Sequence, residues 1–196
     1  MRFLKSAILA TTIIIIFPMA AYAQSGPIDK GSIILGGGFE FGSLSGDLYE
    51  YGGEGITTFN FFPEFTYFIK TGLAIGFDLG YSSWSRGDYK ESSYGIGPKI
   101  VYFFDTNKEN TEIKGKFYPY FGASFIYSKL KLDDVYEREA TLTTLSALGG
   151  GNYMASKSIG IFGHLRYNSN NVNPDEGSSQ SGSVFGFEVG VRAFVF

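Results

Sequence analysis

From Leu73 to Tyr81 the chain alternates without a break. Leu73, Ile75, Phe77, Leu79 and Tyr81 fall on one side; Ala74, Gly76, Asp78 and Gly80 fall on the other. A period of two is that of a β-strand, whose successive side chains point to opposite faces. The faces here differ in size as well as polarity. Large apolar groups on one and glycine with a lone acid on the other suit a strand between lipid and a crowded lumen. A soluble ligand-binding barrel would need the reverse: its large apolar face turns inward and a charged coat turns outward.

The same pattern recurs along the chain. Ile33–Phe41, Phe59–Ile69, Tyr94–Phe104, Phe117–Ser128, Leu142–Met154, Ile159–Tyr167 and Val184–Phe196 all read as strands. With Leu73–Tyr81 that makes eight, each close to the 9–11 residues that cross a bilayer at a tilt. The expected fold is all-β, an eight-stranded antiparallel transmembrane up-and-down β-barrel. Pro63 lacks a ladder donor, and since a barrel has no edge strand it is expected at a bulge. Polar stretches at 43–55, 82–92, 129–140 and 168–181 read as loops, and Lys70-Thr71-Gly72 and 155–158 as tight turns. Asp105–Lys116 is longer than the short turns usual at the periplasmic end.

The first residues point to export. Arg2 and Lys5 precede an apolar run from Ala7 to Phe17, Pro18 breaks it, and Ala21-Tyr22-Ala23 offers small residues at a cleavage site. Residues 1–23 are expected to be a signal peptide and 24–196 the barrel domain, in the bacterial outer membrane. Losing Arg2 and Lys5 moves the formal net charge from −3 to −5. That balance speaks against a nucleic-acid partner, which wants a basic patch. Without cysteine there is neither a disulfide nor a thiolate metal site. Twenty Phe, 14 Tyr and 27 Gly exceed what a soluble core of this size needs, but fit an apolar belt with aromatic girdles around a tight lumen.

The segment from Pro63 to Ser82, followed by Tyr94–Phe104, resembles the outer-membrane β-barrel domain family, the small group of OmpA- and OmpX-type barrels. The shared habit is a strand, a tight turn, a Gly/apolar strand and a Gly-x-Gly-Pro start to the fourth, here Gly95-Ile96-Gly97-Pro98. The resemblance implies fold rather than activity. It also implies that the terminal Phe196 is what barrel assembly machinery recognises. The sequence departs from the family near that end. Glu188 and Arg192 share a parity with Phe194, and an arginine facing mid-bilayer lipid costs about 2–4 kcal/mol. Glu188 and Arg192 are therefore expected inside, with a bulge or rim position near Ala193 that turns Phe194 outward.

Glu40, Glu64, Asp78, Lys99, His164, Arg166, Glu188 and Arg192 all fall on the expected inner face. Eight strands leave a bore just wide enough for side chains, so mixed charges there are expected to pair and plug it. A narrow channel for ions or small solutes is the alternative. Tyr167-Asn168-Ser169-Asn170 and Asn173-Pro174 resemble segments of lipid A deacylases, implying a lipid A-modifying hydrolase. Tyr167, however, stands where their catalytic histidine belongs, and His164 precedes Ser169 by five residues. A serine without its base is a weak nucleophile. The chain is thus expected to be no enzyme, with no catalytic, cofactor-binding or metal-binding residue. Asp47, Tyr49, Glu50, Tyr51 and Glu54 in the first loop, and Trp84, Arg86, Asp88, Tyr89, Lys90 and Glu91 in the second, are candidate partner contacts or girdle residues. The expected partners are outer-membrane lipid and lipopolysaccharide, with a surface ligand through the loops. The expected role is envelope integrity or adhesion-like recognition.

Overall fold

A computed structural model describes residues 26–45, 58–86, 89–106, 111–132, 138–174 and 178–196. The expected signal peptide and the first-loop candidates from Asp47 to Glu54 lie outside the described residues. So do Asp88 and the side chains of Trp84, Arg86, Tyr89, Lys90 and Glu91. The strands are β1 (Ile33–Ser45), β2 (Thr58–Lys70), β3 (Leu73–Arg86), β4 (Tyr89–Phe103), β5 (Phe117–Leu132), β6 (Arg138–Met154), β7 (Ile159–Pro174) and β8 (Gln180–Val195). They pair antiparallel in sequence order, and β8 returns to β1, closing the barrel.

Each strand keeps the facing its alternation dictates. Along β7 outward Ile161, Leu165 and Tyr167 alternate with buried Phe162, His164 and Arg166. The outer wall is apolar to a degree no water-facing coat would be: Leu145 is 62% exposed, Phe41 57% and Phe125 44%. Tyr67, Tyr102, Phe117 and Tyr153 ring the barrel near the rim that carries the terminal segments; Tyr81, Tyr94, Tyr127 and Tyr167 ring it toward the other, distal rim. On β4 the rings at Tyr94 and Tyr102 enclose about 20 Å of height for a tilted strand. With the rings themselves this matches the apolar band of a membrane-spanning barrel. A recess in the wall forms where Pro98 and Ala123 sit among Phe77, Phe125 and Leu145.

The terminal rim is closed by tight geometry. Thr71-Gly72 turns β2 into β3, with Gly72 at φ 79°, a left-handed conformation that favours glycine. A strap from Pro27 to Ser32 crosses beneath it. Gly72 N donates to Ile28 O at 2.8 Å, Gly31 N to Phe68 O at 2.9 Å, and Thr71 Oγ1 to Asp29 Oδ1 at 3.2 Å. The Ile28 side chain enters the barrel as part of its floor. The long connection after β4 also serves the floor, packing Ile113 against it.

Three expectations need correction. Where they are described, the polar stretches expected as loops at the distal rim are largely strand. Only residues 87 and 88 separate β3 from β4, and β7 runs on to Pro174. Hydrogen-bonded ladders continue past the lipid, where both faces are polar and the two-residue signal disappears. Pro63 sits at no bulge. The β2–β3 ladder skips Phe62 and Pro63 and resumes in the same register, and the β4–β5 ladder does so at Gly97 and Pro98. The one-residue shift in β2 lies instead between Phe68 and Lys70, beside the turn. Nor is there a bulge near Ala193: β8 holds a single register with β1 and with β7 through that residue. Phe194 therefore points inward with Arg192. It is accommodated because the lumen at this level is apolar, lined by Ile34, Phe68, Phe103 and Met154.

Candidate functional site

The lumen is layered. At the terminal rim lies an apolar floor of Ile28, Ile34, Phe68, Phe103, Met154 and Phe194, against which Phe196 packs. All eight ionisable side chains expected inside are buried above or beside it. The least buried, Glu64, is 8% exposed, and Arg166, Arg192 and Asp78 are each 1% exposed. Toward the distal rim come amides and hydroxyls. Ser146 Oγ donates to Asn168 Oδ1, and Thr144 Oγ1 to Asn170 Oδ1, both at 2.7 Å.

The charges form one continuous network. Lys99 Nζ binds Glu64 and also Asp78 Oδ1 at 2.7 Å. Arg192 binds Glu64 through Nε and through Nη2 at 3.3 Å. Arg166 Nη2 reaches Glu188 Oε2 at 3.1 Å and Asp78 Oδ2 at 3.4 Å, and Arg166 Nε lies 3.8 Å from Glu40 Oε2. Glu40 also accepts from Asn60 Nδ2 at 2.9 Å and from Asn168 Nδ2 at 3.4 Å. Four carboxylates thus face three permanent cations and one histidine, within one charge of neutrality. Isolated buried charge is costly, and this pairing is what makes the set tolerable.

Aromatic rings complete the packing. The Arg192 guanidinium lies 3.9 Å from the Phe162 ring centroid and 4.5 Å from that of Tyr120; Arg166 lies 4.4 Å from that of Phe62. Arg192 Nη1 has no acceptor among the described residues, and the ring faces stand where one would be. Small residues make this possible. A Cβ on Gly38 would sit 2.8 Å from Phe162 Cζ, and one on Gly186 2.8 Å from Glu40 Cγ. The glycine face seen in the sequence is room for these large side chains.

His164 sits between Tyr120 Oη, 2.8 Å from Nδ1, and Glu188 Oε2, 3.0 Å from Nε2. A histidine held by a carboxylate is the usual frame of a general base, but the atom next to it is a phenol packed in the floor. Ser169, five residues along β7, points out of the barrel while His164 points in. The pair singled out by the deacylase resemblance therefore lies on opposite faces of one strand. Among the described residues no group of three or more His, Asp or Glu is placed to hold a metal ion.

Sequence reasoning placed every charge in the network, with Asn60 and Phe162 on the same inner face, and missed Tyr120. Tyr120 shares the parity of the charges, which was the available signal. A tyrosine at such a position suits lipid interface and lumen alike, whereas an Arg does not.

No protein-family model matches the chain, and no curated protein sequence does. Solved structures do match. The crystal structure of Neisserial surface protein A aligns with a TM-score of 0.63 at 18% identity, covering 85% of this chain and 100% of that one. The outer membrane protein OprG from Pseudomonas aeruginosa aligns with a TM-score of 0.53 at 14% identity, covering 87% and 99%. The fold is that of the small eight-stranded outer-membrane β-barrels.

Proposed function

We propose that the protein is a non-enzymatic, non-conducting barrel of the bacterial outer membrane. Its task is envelope integrity or surface recognition, carried out by the distal rim. The terminal rim faces the periplasm: eight strands bring both ends of the barrel to that side, and the polar strand extensions rise beyond the aromatic ring at the distal side. The observation that carries this reading is the filled bore. An apolar floor, a paired ion layer and an amide layer stack one upon another, leaving the outside as the surface through which the protein meets partners. Lipid and lipopolysaccharide pack against the wall.

Planar-bilayer recording tests the reading. Folded protein added at single-channel density gives no steady current above the lipid baseline. A reproducible open-channel step that persists through voltage reversal would defeat it in favour of a narrow channel.

A further inference from the structure

The terminal rim carries cations that the protein itself does not use. Lys30 on the strap, Lys70 at the end of β2, Lys114 after β4 and Lys157 between β6 and β7 are all exposed, and none has a carboxylate partner among the described residues. The described acids of the same rim are engaged. Asp29 accepts from Gly26 N at 2.6 Å and from Thr71 Oγ1 at 3.2 Å, and Asp105 lies 3.9 Å from Lys116 Nζ. Glu112 has a partner as well.

Two of these lysines sit on connections that fold against outward tyrosines. A Cβ on Gly72, two residues past Lys70, would lie 3.5 Å from Tyr102 Cε2 and 3.6 Å from its Cζ. One on Gly115, next to Lys114, would lie 4.0 Å from Tyr153 Oη. Gly115 N donates to Met154 O at 2.8 Å, and Met154 N to Lys116 O at 2.9 Å, which ties that connection to the end of β6. Both tyrosines are exposed on the outer wall, and neither hydroxyl has a hydrogen-bond partner among the described residues.

This placement selects a partner. A tyrosine in an aromatic girdle keeps its ring against hydrocarbon and its hydroxyl at headgroup level. A lysine just beyond it reaches the same level along its flexible stem. An ammonium and a phenol hydroxyl both donate, and a phosphodiester offers the acceptor oxygens they lack. Charge then chooses among headgroups: an ethanolamine headgroup brings its own cation, whereas a glycerol headgroup leaves the phosphate charge uncompensated. We propose that the terminal rim is a collar for anionic phospholipid headgroups in the adjoining leaflet, with Lys70 beside Tyr102 and Lys114 beside Tyr153 as its two phosphate contacts. This rests on the outer-membrane reading above and adds the leaflet contacted and the headgroup recognised.

The test uses the full barrel folded into phosphatidylethanolamine–phosphatidylglycerol vesicles. Protein is extracted in mild detergent, and retained lipids are counted by mass spectrometry. Wild type retains phosphatidylglycerol above its bulk fraction, and the enrichment falls as salt is added. Lys70→Gln with Lys114→Gln alters only exposed, unpaired side chains, folds as well, and loses about fivefold of the enrichment per lysine removed. Lys70→Arg with Lys114→Arg keeps it. Lys129→Gln, an exposed lysine toward the distal rim, leaves it unchanged. Equal enrichment in wild type and the double Gln variant, or an equal loss from Lys129→Gln, overturns the collar while the unboiled protein still runs as a compact band. Protein that never yields a heat-shifted band from any vesicle overturns the barrel reading as well.

Discussion

Arg192 decides how the last strand faces. Its charge could not point at lipid, and that alone placed it inside and carried Phe194 in with it. Glu64 is its partner and is shared with Lys99, which keeps Asp78 as a second carboxylate. Glu64→Gln should therefore strand Arg192 more than Lys99, and cost about 3–5 kcal/mol, the usual penalty for breaking a buried pair. Urea unfolding of the detergent-folded barrel measures it. Arg192→Leu in the same background should recover much of the loss, since an apolar pair in that space is often neutral. A cost below about 1 kcal/mol would place the pair in water instead. This scale also shows what was legible. All eight luminal charges were assigned from parity, because a charge has one affordable side. Phe194 was expected outside, because an aromatic residue suits a lipid face and an apolar floor equally well.

The strands were legible only where their two faces meet different surroundings. Ile159–Tyr167 stood out because it borders lipid on one side and a lumen on the other. Its continuation from Asn168 to Pro174 read as loop, since water lies on one side and amides on the other. Proline was also misjudged at this scale. Pro63 and Pro98 each leave a gap in one ladder while the opposite ladder and the register are kept. A closed sheet can leave out one donor without adding a residue. Pro98→Val restores that donor toward β5 and should stabilise the barrel by about 1 kcal/mol, the net worth of a hydrogen bond. The unfolding midpoint in urea reads this out. A lower midpoint would mean that the wall needs the local opening beside Gly97.

At the scale of the whole molecule, closure is visible in solution. Unboiled barrel should run as a compact band in a detergent gel and shift after boiling; one position for both samples would contradict the closed fold. The lumen network adds a condition on how that closed state is reached. Arg192 and Glu64 are 128 residues apart, as are Asn168 and Glu40, while Lys99 and Asp78 are separated by only 21. Arg192–Glu64 and Asn168–Glu40 thus form only once β8 has met β1, whereas Arg166 and Glu188 face each other on the neighbouring strands β7 and β8. A sheet inserted part-way would hold Arg192 against hydrocarbon with Glu64 still out of reach, and Glu40 without Asn168. A bilayer would therefore penalise an open sheet that leaves Arg192 without Glu64, which couples closure of the seam to insertion and makes the charged layer a proofreading step on an unfinished sheet.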